Sequence, residues 1–150
     1  MTLRVAINGF GRIGRNVMRG WISRGADTGL EIVGMNSTSD PKTSAHLLTY
    51  DSILGKLDPS VKIETTDDTM LVNGKEIKFF ADRNPLNCPW KDWGVDLVIE
   101  STGVFNTDEK ASMHIEAGAS KVILTAPGKG DGVGTFVVGV QDDQYRQEDG

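Results

Sequence analysis

The residues best suited to chemistry stand near the start of the chain. Gly9-Phe10-Gly11-Arg12-Ile13-Gly14 follows an apolar run, Leu3-Arg4-Val5-Ala6-Ile7-Asn8, and precedes a stretch of helical periodicity. Each glycine has a separate task in such a turn. Gly9 permits the tight bend, Gly11 lets backbone approach a diphosphate, and Gly14 lets the new helix pack against the strand. The first N–H groups of a helix have no partner within it, so those of Arg12 and Ile13 are expected to face an anion. The glycine spacing alone is a weak signal. Set between a strand and a helix, it predicts a dinucleotide site for NAD or NADP.

A second group closes the next strand. In the usual arrangement an Asp or Glu about 20 residues after the turn accepts hydrogen bonds from the adenosine ribose. Here the strand end reads Met35-Asn36-Ser37-Thr38-Ser39-Asp40, with no acid at its tip. Two compatible readings stand: Asp40 before Pro41 caps the following helix, and the hydroxyls of Ser37 and Thr38 replace the acid so that a 2′-phosphate fits. A third group, Glu100-Ser101-Thr102-Gly103-Val104-Phe105, lies past the carboxyl end of a later strand. Open α/β sheets hold ligands at that edge. Small residues such as Thr102 and Gly103 allow a cofactor close, and Phe105 is either a flat face for a ring or a core side chain. Thr125-Ala126-Pro127-Gly128 ends the following strand on the same edge.

Other features carry less. Gly128-Lys129-Gly130-Asp131-Gly132 lacks the spacing and the Ser or Thr of a phosphate loop. Arg12, Arg15 and Arg19 share a helix face and read as a solvated surface. His46 and His114 have no visible partner or metal-ligand spacing, so both read as ordinary helix residues. Cys88, the single cysteine, sits in a loop without a helix start or basic neighbour to lower its pKa. No catalytic residue and no metal ligand is assigned.

The elements that must position these groups follow from periodicity. A helix is expected from about Arg12 to Arg24, with Ile13, Val17, Met18, Trp21 and Ile22 on one stripe. Glu31 to Met35 reads as a strand, and Pro41 opens a helix in which Leu47, Leu48 and Tyr50 face inward. The middle changes style. Val61 to Thr65 alternates, and Met70 to Val72 and Glu76 to Phe80 flank Asn73-Gly74, a hairpin turn that favours positive φ. Strand Val95 to Glu100, helix Asp108 to Ala117, strand Lys121 to Thr125 and a last strand Phe136 to Val140 follow. The pattern is α/β: a Rossmann-type, doubly wound, mostly parallel sheet with an antiparallel hairpin insert. The 150 residues suit one domain. A net charge of −5 argues against nucleic-acid or acidic-membrane binding, and no apolar run is long enough to span a bilayer. The strand pattern begins at once, so no signal or transit segment is expected, and one cysteine suits a reducing, cytosolic compartment.

Taken together, Ala6 through Arg15, Tyr50-Asp51-Ser52, Glu100 through Phe105 and Thr125 through Gly130 resemble the glyceraldehyde-3-phosphate dehydrogenase family, in order along the whole chain. The absence of an acid at Ser37 is similar to its photosynthetic, Calvin-cycle branch in cyanobacteria and chloroplasts. The resemblance implies reversible hydride transfer between NAD(P) and glyceraldehyde 3-phosphate, with 1,3-bisphosphoglycerate on the oxidised side. It implies a homotetramer, and a small disordered regulatory protein as a further partner. Asn8, Arg12 and Ile13 match family positions near the diphosphate, and Asn36, Arg83, Thr102 and Phe105 positions around the adenosine half. Ser37 matches the ribose-binding acid of glycolytic members, Thr38 a threonine that helps hold the 2′-phosphate, and Thr125 a position on the nicotinamide side. The family's catalytic cysteine is expected shortly beyond Gly150, with a catalytic domain after it, so residues 1–150 read as the cofactor domain. A stand-alone dinucleotide-binding module, or a dehydrogenase of another aldose phosphate such as erythrose 4-phosphate, are the alternative readings.

Overall fold

The computed structural model describes residues 1–146. The first strand, β1 (Leu3–Asn8), runs into helix α1 (Arg12–Arg24) and returns through β2 (Leu30–Asn36). Helix α2 (Pro41–Thr49) leads to a two-stranded ribbon, β3 (Tyr50–Asp51) with β4 (Gly55–Lys56). The strands β5 (Ile63–Thr65), β6 (Thr69–Val72) and β7 (Lys75–Phe80) pair antiparallel in succession. Asn73 and Gly74 between β6 and β7 have φ of 50° and 80°, the positive values their turn requires. Then β8 (Leu97–Glu100), α3 (Asp108–Glu116) and β9 (Lys121–Leu124) complete the order.

Seven strands form one sheet in the order β5-β6-β7-β2-β1-β8-β9. The run β7-β2-β1-β8-β9 is parallel throughout. Counted among the parallel strands alone this is the order 3-2-1-4-5 of a doubly wound sheet, reversing between β1 and β8. The antiparallel insert extends it at the β7 side. Side chains alternate across a strand, so a sheet covered on both faces needs apolar residues at every position. β1 satisfies this: Val5 and Ile7 enter a core with Met18, Trp21, Leu48 and Ile77, while Ala6 enters a second core with Trp90, Val95 and Val98. Trp93 packs so closely on the backbone of β2 that any Cβ at Gly34 would overlap its ring.

Three expectations are corrected. Phe136 to Val140 forms no strand: it turns back on itself, with Val140 N–H donating to Val137 O and Gly139 at φ 80°, and Val138 is 87% exposed. Its β-branched composition favours a strand, but ladder partners decide whether one forms. Of the three residues expected to face inward from α2 only Leu48 does, on a stripe with Pro41 and Ser44; Leu47 lies off that stripe, and Tyr50, already in β3, is exposed. β8 begins at Leu97 rather than Val95, whose N–H bonds instead to Trp90 O.

Candidate functional site

The sheet reverses its winding between β1 and β8, and both strands end there in polar residues. Gly9 turns the chain with φ 93°, and a Cβ on it would lie 2.8 Å from the Thr102 methyl. Ser101 Oγ donates to Gly9 O at 2.6 Å, tying this turn to the end of β8. Gly14 packs so tightly that a Cβ would collide with the Gly9 carbonyl. Gly11 is different: nothing lies within 4 Å of where its Cβ would be. Gly11 is also the N-cap of α1, with no side chain capping the helix and no acid in its first turn. The first N–H groups of α1 and its positive dipole end therefore face open space beside a backbone with no side chain, a surface suited to a diphosphate.

Around this turn lies a buried polar network. Glu100, 1% exposed, accepts at Oε1 from the Thr102 N–H at 2.7 Å and from the Thr102 hydroxyl. Its Oε2 accepts from Asn8 Nδ2 at 2.5 Å and meets His114 Nε2 at 2.9 Å. Burial pushes the Glu100 carboxyl up, yet the bonds from His114, Thr102 and Asn8 outweigh it and hold the group below the usual carboxylate range. Asn36 donates to Asn8 Oδ1 at 2.7 Å and to Asp82 O at 2.8 Å, and accepts from Asp82 N–H at 3.0 Å. It thereby sets the loop that carries the exposed Arg83 beside the end of β2.

The candidate residues divide by what they touch. Asn8, Asn36 and Thr102 belong to this one network, and Gly9 and Gly14 pack beneath it. Ile13 is exposed, Gly103 turns with φ 76°, and Thr125 donates through N–H and hydroxyl to Glu100 O, each at 3.0 Å. Ser37 is fixed by its N–H on Phe80 O and accepts from Ser39 N–H at 3.2 Å, while Thr38 is exposed. Asp40 caps α2 through the Thr43 N–H and hydroxyl, which hold its carboxyl below the ordinary range. Phe105 is half-buried and packs edge-on against His114, centroids 6.0 Å apart.

Two surface readings are corrected. Arg12, Arg15 and Arg19 are not a solvated face. Arg12 pairs with the buried Asp51 carboxylate and Arg19 donates to the Leu48, Thr49 and Gly55 carbonyls, so these two fasten α1 to the end of α2 and the ribbon after it, while Arg15 donates to Phe10 O in the glycine turn. His114 is not an ordinary helix residue: it is wholly buried, with Glu100 on one ring nitrogen and the Trp90 indole on the other. The sequence did carry a signal for it, a Glu closing the apolar run Leu97-Val98-Ile99, which a buried strand end tolerates only with donors nearby. Cys88 is buried, and burial, then the charges of Asp82 and Glu100, push its thiol up to about 12. Lys129 N–H bonds to Asn106 O, so the Gly128 to Gly132 stretch is partly a pairing segment. Among the described residues no group of three or more His, Cys, Asp or Glu is placed to hold a metal, and no helix is long and apolar enough to cross a membrane.

A parallel sheet wound 3-2-1-4-5, with a glycine turn and an uncapped helix start at the point of reversal, defines a Rossmann-type dinucleotide-binding domain. Residues 3–108 match the family described as glyceraldehyde 3-phosphate dehydrogenase, NAD binding domain, and the chain belongs to that family. It is 60% identical over 146 residues to glyceraldehyde-3-phosphate dehydrogenase 2 of Synechocystis sp., covering 97% of this chain and 42% of that protein. It is 56% identical over 148 residues to the chloroplastic enzyme of Chondrus crispus, covering 99% of this chain and 35% of that one. Against chloroplastic glyceraldehyde-3-phosphate dehydrogenase A of Zea mays it is 54% identical over 147 residues, 98% of this chain and 36% of that one. The chain thus spans about two fifths or less of the curated relatives it matches.

Proposed function

We propose that residues 1–150 are the cofactor domain of a photosynthetic-type glyceraldehyde-3-phosphate dehydrogenase that accepts both NADP and NAD. The observation that carries this is the open backbone at Gly11 above the uncapped start of α1, flanked by Gly9 and Gly14 where no side chain fits. The N–H groups of Arg12, Ile13 and Gly14 hold the diphosphate. Arg12 acts through its backbone, since its guanidinium is engaged by Asp51. Asn36, Arg83, Thr102 and Phe105 line the adenosine half, and Ser37 and Thr38 present hydroxyls in place of an acid, which admits a 2′-phosphate. Gly103 and Thr125 lie on the walls of the same groove.

Bound there, the nicotinamide ring supplies hydride transfer to or from glyceraldehyde 3-phosphate. The chain's own residues bind and orient; the nucleophile that the reaction needs belongs to a catalytic domain beyond residue 150. The family and the chloroplastic and cyanobacterial relatives support this reading. The proposal extends, on the family resemblance alone, to a homotetramer in the cyanobacterial cytosol or the chloroplast stroma, with a small disordered regulatory protein as a further partner.

The test is Gly11→Val. Because its surroundings are empty, the variant keeps its fold, while the added side chain bars backbone from the diphosphate. A ligand at about 100 times its Kd stabilises the folded state by roughly 2.7 kcal/mol. Wild type should show that thermal stabilisation with NAD and NADP and the variant none; equal shifts in the two would overturn the assignment.

A further inference from the structure

Four donors converge on Glu100, and the polarity of three of them is fixed. The Thr102 backbone N–H can only donate, and it sits 2.7 Å from Oε1. The Trp90 indole can only donate and does so to His114 Nδ1 at 3.0 Å, which leaves the imidazole proton on Nε2, directed at Glu100 Oε2. On the other side, the backbone N–H and carbonyl of Asp82 lock the amide of Asn36, whose Nδ2 donates to Asn8 Oδ1. Asn8 Nδ2 is left to donate to Glu100 Oε2 at 2.5 Å. His114 Nε2 and Asn8 Nδ2 lie 3.4 Å apart, aimed at the same oxygen. Only the Thr102 hydroxyl can turn round.

A side chain that accepts at both terminal oxygens is therefore the only one the site fits. Gln at position 100 would meet at least one fixed donor with a donor of its own. The cheapest arrangement turns its NH2 toward Thr102, where the hydroxyl can rotate but the backbone N–H cannot. The loop from Thr102 to Phe105 would then have to move. The segments tied to this carboxylate are the ones that wall the groove: the end of β1 through Asn8, the loop after β8 through Thr102, and the end of β2 with the Asp82–Arg83 loop through Asn36. His114 and Trp90 support it from behind, and Phe105 leans on the same imidazole.

We infer that Glu100 is the positioning residue of the dinucleotide groove, fixing the β1, β2 and β8 rims to one point, with His114 as the donor that Trp90 holds in the required tautomer. This rests on the dinucleotide-binding reading above. Its role is to keep the groove assembled before ligand arrives, so that less ordering is needed on binding.

The experiment uses the full-length protein. NAD affinity of wild type, Glu100→Gln, His114→Gln and His114→Leu is measured by titration calorimetry, with circular dichroism to confirm folding. Glu100→Gln is expected to bind NAD about tenfold or more weakly, the scale of a lost hydrogen bond to a charged group. His114→Gln presents a donor to Glu100 and an acceptor to Trp90, so it should stay within about threefold of wild type, whereas His114→Leu should fall about tenfold. In parallel, 15N NMR of histidine-labelled wild type reads the tautomer, the His114 signal being the one absent from His114→Gln: Nε2 should carry the proton and Nδ1 should be bare. A folded Glu100→Gln with wild-type affinity, equal affinities for the two His114 variants, or a protonated Nδ1 would each overturn the inference. If Glu100→Gln does not fold, the His114 pair and the tautomer decide. Wild type that binds no NAD defeats the underlying reading instead, and the tautomer still judges the network.

Discussion

Gly11 and Gly14 lie three residues apart, and their surroundings assign them opposite duties. Gly14 is fixed by packing: a methyl there meets the Gly9 carbonyl, the Ser101 hydroxyl and Ile7. Gly14→Ala should therefore lower stability by roughly 1–3 kcal/mol, measured by urea unfolding in the absence of cofactor, where Gly11→Val, which meets no neighbour and gives up only a favoured N-cap residue, should cost about 1 kcal/mol or less. Unfolding midpoints that fall equally in the two variants would show that the glycines do not divide folding from binding. Ser37 raises a separate matter of charge. Near 4 Å two unit charges repel by about 1 kcal/mol in water and about 4 kcal/mol at an effective dielectric of about 20. An acid at this position would thus oppose a 2′-phosphate, while for NAD it would accept hydrogen bonds from the ribose. Ser37→Asp in the full-length protein should weaken NADP about tenfold or more and leave NAD unchanged or improved. A fixed ratio of the two affinities would remove the 2′-phosphate from this loop.

At the scale of elements, α1 is held from two sides, by its apolar stripe on the sheet and by arginines that reach over α2 and the β3–β4 ribbon. Asp51 is the anchor for Arg12. The backbone N–H groups of Leu54 and Ile53, and then Arg12, hold its carboxyl at about 2 against an ordinary 3.8. A carboxyl lowered on folding favours the folded state above its unfolded pKa and loses that contribution as pH falls through the folded one. Wild type should thus lose stability between about pH 4 and pH 2 more steeply than Asp51→Asn, read from acid-unfolding curves of the two proteins. Parallel curves would mean that Asp51 titrates alike in both states. The same elements show what a sequence can disclose. The strand, glycine turn and helix from Leu3 to Arg24, and the Asn73-Gly74 hairpin, are local: neighbouring residues determine them, and both form at the expected places. The arginine face is not legible locally, because the partners of Arg12 and Arg19 lie 39 and 29 residues further along the chain. The place of His114 is not legible locally either, because the groups that define it, Glu100, Trp90 and Asn8, meet only once the sheet is assembled. Phe136 to Val140 has strand composition but no ladder partner, and its local propensity yields to that.

At the scale of the whole molecule, the proposed function assigns the groove and the reactive centre to different parts of the protein. The chain covers 42% of the Synechocystis relative, and its single sulfur nucleophile is Cys88. The proposed aldehyde oxidation needs a thiolate, because only the deprotonated sulfur is an effective nucleophile toward a carbonyl. Cys88 is 3% exposed, packed in the core with Trp90, Val95 and Val98, and burial, then the charges of Asp82 and Glu100, push its pKa up to about 12, so the thiol stays protonated at neutral pH. No substrate reaches a side chain covered in this way. Residues 1–150 supplied with glyceraldehyde 3-phosphate, phosphate and NADP should accordingly give no NADPH absorbance, while still being stabilised by the cofactor. Cys88→Ser should alter neither result, and the native thiol should resist alkylation until the protein is unfolded. Turnover above buffer that Cys88→Ser abolishes would place the nucleophile inside this domain and refute the division of labour argued from its burial.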